Sequence, residues 1–214
     1  MNGLFSIDSK FYQVISRISD LVVLNVLYLI SCIPIVTIGA ASTALYTVCF
    51  RFGTEREKGL WTSYWRAFRD DFKKSTELWL LAMIGIAASS VAVAWYVRGG
   101  ILHYMSFPMG VAAVVIFLIA GMAFPLNSQF ENTVSGTMKN ALLLCLCQLP
   151  KAIVVCLLHF LPAIVFLFRT DLFIRLWFLW VFLYDAGIAG ITVKLFRKTY
   201  QKIEKNGHSN AVEI

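Results

Sequence analysis

Five stretches of the chain run almost free of charge for the length that a bilayer demands. They fall at about residues 18–41, 77–97, 107–126, 152–168 and 174–193, against the ~20 residues needed to span a hydrocarbon core. Each predicts a transmembrane helix. The fold class expected is therefore all-α: a polytopic integral membrane bundle forming one domain over residues 1–214.

The first stretch contains Pro34. A proline inside a helix removes a backbone donor and clashes one turn back, and the residue before it avoids the helical region. Two arrangements follow: one kinked crossing, or a hairpin of two segments, about 18–33 and 35–50. The hairpin raises the count from five membrane segments to six. Its arms are about 24 Å long, short of the ~30 Å core, so its turn has to be packed inside the bundle, where protein can satisfy its backbone groups. Thr37 is placed to cap the second arm, with Gly39 just inside it.

Between the second arm and the next span, L60-W-T-S-Y-W-R-A-F-R-D-D-F-K-K74 carries Trp61, Tyr64 or Trp65, Phe68 and Phe72 at helical spacing. Arg66, Arg69, Asp70, Lys73 and Lys74 lie largely off that face. This predicts an amphipathic cytoplasmic helix over about 60–74, lying in the membrane interface.

Composition agrees with the pattern. The chain is 59% hydrophobic and 14% charged, with mean hydropathy +0.73, outside the range of soluble globular domains. Charge then orients it. With the hairpin, sixteen of the 19 Lys and Arg fall on one side and three, Arg98, Arg169 and Arg175, on the other. The positive-inside rule places both termini in the cytoplasm, in a multi-pass protein of the cell membrane. Topology also explains the net charge of +7, so no nucleic-acid partner is expected. A secretory signal fits poorly, because the first apolar run starts late and is interrupted by Pro34. Cys32, Cys49, Cys145, Cys147 and Cys156 lie in or beside apolar segments without a C-x-x-C pair, and read as buried small residues.

Small residues four apart mark places where helices approach closely: Gly39 with Thr43, Ala40 with Ala44, then Ala82, Gly85, Ser89 and Ala92, then Ala186 with Gly190. Packing within the bundle is the first use of such seams, and a homo-oligomer or partner interface the second. At Gly39, leucine is expected to overpack and alanine to be much milder. Polar residues inside spans are the candidates for function. These are Asn25, His159 and above all Asp185, which serves either as an interhelical hydrogen-bonding group or as a proton or ligand site. No metal, cofactor or catalytic motif is present. A dyad of Ser42 with His159 is of a kind that chance supplies freely, so no enzyme is expected.

The run L24-N-V-L-Y-L-I-S-C-I-P-I-V-T-I-G-A-A-S-T-A-L-Y46, with F68-R-D-D-F-K-K-S-T-E-L-W79 and K139-N-A-L-L-L144, resembles the YesL family of bacterial membrane proteins. The resemblance is carried by Asn25, Pro34, Thr37, Gly39, Ala44, Leu45 and Tyr46, by Phe68, Phe72 and Trp79, and by Asn140 and Ala141. Asp185 matches no motif of the family. The resemblance implies a small polytopic protein of unknown function, encoded typically beside carbohydrate transporters, sugar-responsive sensors and glycoside hydrolases. It supplies no catalytic residue.

The expectation is a non-enzymatic accessory or scaffold protein linked to carbohydrate uptake or its regulation, with the lipid bilayer and a transporter or sensor membrane protein as partners. The alternative is a small-solute transport or substrate-binding component. In that case Ala40-x-x-x-Ala44 would serve as a coupling face for a separate ATPase.

Overall fold

The computed structural model describes residues 4–52, 59–97 and 106–212; Arg56, Lys58 and Arg98 of the charge count lie outside them. The described residues form ten α-helices and no strand: α1 (Leu4–Ser31), α2 (Ile38–Arg51), α3 (Leu60–Asp70), α4 (Phe72–Val97), α5 (Ser106–Asn127), α6 (Val134–Cys147), α7 (Leu149–Phe168), α8 (Thr170–Arg175), α9 (Trp177–Phe182) and α10 (Tyr184–Val212). Two of them, α5 over Gly110–Asn127 and α7, are long and apolar enough to cross a membrane.

The opening apolar run is two helices. α1 stops at Ser31, and a 3-10 turn over Ile35–Thr37 leads into α2. The chain reverses between them, because Arg17, far before the turn, lies 5.4 Å above the ring of Phe52, just past α2. A continuous helix would hold those residues about 50 Å apart. Thr37 occupies the N-cap position of α2 without capping it. Its hydroxyl faces back towards α1 and donates between the carbonyl oxygens of Ser31 and Pro34, at 2.6 and 2.7 Å. Helix ends leave carbonyls without partners, and here the hydroxyl serves as donor to those of Ser31 and Pro34 without accepting from the N–H groups that open α2. Trp79 of α4 closes the turn from a third helix, donating its indole N–H to the Ile35 carbonyl at 2.9 Å.

α2 is the centre of the molecule. Eleven of its 14 residues are buried, and it packs against α1, α3, α4, α5 and α10. Small side chains make this crowding feasible: Ala40, Thr43 and Ala44 are all completely buried. At Gly39 the approach is closest, since a Cβ there would lie 2.3 Å from the Ser75 carbonyl oxygen and 2.7 Å from the Trp79 Cβ. Ala82 is buried, and a Cβ on Gly85 would come within 3.0 Å of Ile116 of α5. The predicted seam on the last segment is half present: Ala186 is buried, whereas a Cβ on Gly190 would meet nothing within 4 Å. The side chains of Ser89 and Ala92 lie outside the described ones.

Several predicted elements take other bounds. The helix expected over 60–74 ends at Asp70; Asp71 interrupts it, and Phe72 begins α4. Its buried positions are Ser63, Tyr64 and Ala67, while Trp61 is exposed. Only part of the aromatic stripe faces outward, because Tyr64 packs into the protein core. The segment expected over 174–193 is broken at Leu176 and Leu183 into α8, α9 and the start of α10. α6 matches none of the predicted segments. It spans only about 21 Å, too short to register as a crossing, and starts at Thr133, whose side chain accepts from the Gly136 N–H at 3.2 Å.

The contact at Gly39 makes alanine costlier than the much milder change expected of it. A methyl group meets a backbone oxygen, which cannot rotate away, so Gly39→Ala should destabilise the protein by about 1–3 kcal/mol, the usual cost of overpacking, and Gly39→Leu by more. Melting temperatures in detergent measure this. An alanine variant as stable as the parent would refute the close approach of α2 to α4.

Candidate functional site

The break between α9 and α10 leaves backbone groups without helical partners, and Asn25 of α1 supplies them. Its side-chain amide donates to the Val181 carbonyl at 2.8 Å and accepts from the Ala186 N–H at 2.7 Å. Asn25 is completely buried. Asparagine suits this position because its amide carries a donor and an acceptor on one rigid plane. Tyr184 fixes the same region from the other side, its hydroxyl donating to the Leu158 carbonyl of α7. Asp185 lies between these two anchored residues, in the first turn of α10.

Asp185 lines a partly open cavity of about 230 Å³ between α1, α2, α4, α5, α7 and α10. Its polar lining is Tyr28, Ser42, Tyr46, His159 and Asp185; Trp79, Phe117 and Phe124 contribute aromatic surface, and Ala82, Ala120, Gly121 and Ala152 leave the space unfilled. His159 Nδ1 lies 2.8 Å from the Val155 carbonyl oxygen. A carbonyl can only accept, so Nδ1 carries hydrogen and donates to it. Asp185 forms no salt bridge among the described residues. His159 is the basic group close enough to act electrostatically on its carboxyl.

Of the three polar residues expected inside spans, His159 and Asp185 thus face one cavity, and Asn25 sits behind it as a support for the Asp185 turn. Ser42 shares the cavity; no hydrogen bond joins Ser42 to His159 or His159 to Asp185 among the described residues. No group of three or more His, Cys, Asp or Glu placed to hold a metal occurs among the described residues. All five cysteines are free thiols.

A second polar cluster was outside the predicted candidates. Ser75 donates to Thr43 at 2.8 Å, and Asn127 donates to Ser75 at 2.9 Å, all three being buried. Ser75 and Asn127 flank the apolar windows instead of lying in them, so polarity within a span could not reveal them. Ala40 and Ala44 are inaccessible, which rules them out as the coupling face for a separate ATPase.

Residues 21–93 match a family model described as "Protein of unknown function, DUF624", the domain family of YesL-like proteins. The match covers less than half of the chain. It includes Asn25, the hairpin and most of α4, and excludes Lys139–Leu144, His159 and Asp185. No curated protein and no solved structure matches. The link to carbohydrate uptake gains no support from these comparisons.

Replacing Asn25 tests its bridging role. Asn25→Leu leaves a buried N–H and a buried carbonyl unpaired, each costing about 1–3 kcal/mol. Asn25→Asp retains the acceptor alone and should fall between leucine and the parent in thermal stability. A leucine variant that melts with the parent would contradict the bridge.

Proposed function

We propose that the chain is a polytopic integral membrane protein, a member of the YesL family, that binds a small solute within the bilayer and serves as a transport or substrate-binding component. The observation that carries this reading is the cavity, where polar groups from α1, α2, α7 and α10 converge inside an apolar bundle. Small-molecule sites are concave, mostly apolar, and carry a few convergent polar groups. Discontinuous helices near such a site are a recurring device of membrane transporters. An accessory or scaffold role needs no cavity of this kind. The association with carbohydrate uptake rests on the YesL resemblance alone.

Membrane insertion is supported by where the apolar side chains face. On α7, Leu157, Leu167 and Phe168 are 56%, 76% and 79% exposed, and in water such a surface would drive aggregation. Orientation follows from the basic end of the bundle. Arg17 with Phe52, Lys151 with Phe196, Gln148 with Thr199 and Phe50 with Tyr200 bring the base of the hairpin, the α6–α7 joint and the middle of α10 together. Arg17, Arg51, Lys151, Arg197 and Lys198 belong to these regions, and the positive-inside rule sets them in the cytoplasm with both termini.

Two measurements test the proposal. Reporter fusions at residues 7 and 208 should both report the cytoplasm, and opposite locations would overturn the hairpin topology. A thermal-shift screen of small solutes against the protein in detergent should find stabilising compounds whose effect disappears in Ala120→Trp, which fills the cavity. Shifts that survive that substitution would argue against the cavity as the binding site.

A further inference from the structure

Building on the small-solute reading, we infer that the cavity selects a small hydrophobic organic cation, such as a quaternary or protonated amine carrying one aromatic ring. Three observations converge on this. Among the lining residues Asp185 is the sole carboxyl group, and neither Lys nor Arg accompanies it. An ionised carboxylate held away from water needs a compensating charge, and Asp185 has no salt bridge among the described residues. The walls then add rings. Tyr28, Tyr46, Trp79, Phe117 and Phe124 all line the space, and the negative face of an aromatic ring attracts a cation, most strongly where both are desolvated.

Two opposing effects are smaller. The N-terminus of α10 places roughly half a positive charge near Asp185, which a full carboxylate outweighs. His159 is bonded through Nδ1 to the Val155 carbonyl and forms no ion pair with Asp185 among the described residues, so it leaves the carboxylate open to a ligand. A bare metal ion fits less well. Such ions are held by converging oxygen ligands, whereas this lining is mostly aromatic and aliphatic. Size is compatible as well: an apolar cavity of ~150 Å³ holds one benzene, so about 230 Å³ has room for one ring and a small charged group.

The test is equilibrium binding of radiolabelled benzyltrimethylammonium to the full chain in lipid nanodiscs, with empty nanodiscs as background. Saturable binding is expected, poorly displaced by neopentylbenzene, which has the same shape without the charge. Asp185→Asn should weaken it about tenfold or more and Asp185→Glu should preserve most of it, with melting curves verifying that both variants fold. Equal displacement by neopentylbenzene, or unchanged affinity in a folded Asp185→Asn, would overturn the cation inference and leave the cavity as a site for neutral solutes. Absence of saturable binding would also overturn it, and the solute screen with Ala120→Trp would then judge the cavity by itself.

Discussion

An interrupted helix in apolar surroundings has no solvent to complete its backbone hydrogen bonds. Each unsatisfied group in hydrocarbon costs several kcal/mol, whereas a hydrogen bond made in folding returns about 1 kcal/mol. The penalty for leaving a break open therefore exceeds the gain from any ordinary contact. Among the described residues the chain breaks at 32–37 and 176–183; Trp79 of α4 bonds to the first and Asn25 of α1 to the second, while Thr37 turns back on the carbonyls of its own turn. Because Trp79 and Asn25 come from other helices, satisfying the backbone also fixes which helices meet.

The site follows from the same bonds. Asn25 holds the N–H of Ala186, and Tyr184 is tied to α7, so Asp185 enters the cavity from a turn anchored on both sides. The hairpin delivers Tyr28, Ser42 and Tyr46 to the same lining. Gly39 draws α2 against α4 at Ser75 and Trp79, and the polar chain Thr43–Ser75–Asn127 extends the junction to α5. Open volume persists because Ala82, Ala120, Gly121 and Ala152 line it; larger side chains at those four positions would have turned the cavity into core.

Much of this was legible in the sequence, for physical reasons specific to each residue. Pro34 announced an interruption because its ring is incompatible with a helix interior, and Gly39 announced a close approach because it stands beside a row of small residues. Asn25, His159 and Asp185 were visible as polar residues in apolar runs, though their convergence was not, since contacts across 156 and 161 positions leave no local trace. The break near Leu183 was hidden. W177-F-L-W-V-F-L-Y184 contains neither glycine nor proline, and what sustains its interruption is a side chain on α1. Thr37 shows the opposite error: local chemistry predicted a cap, and the nearby carbonyls of Ser31 and Pro34 took the hydroxyl instead.

The account depends most directly on Asn25 bridging the α9–α10 break. Hydrogen exchange of the Ala186 amide, followed by NMR in the parent and in Asn25→Leu, reports on that bond alone. The parent amide should exchange as slowly as its helical neighbours in α10, and the leucine variant should expose it by an order of magnitude or more while the Trp79 indole N–H stays protected. Equal exchange at Ala186 in the two proteins would contradict the account.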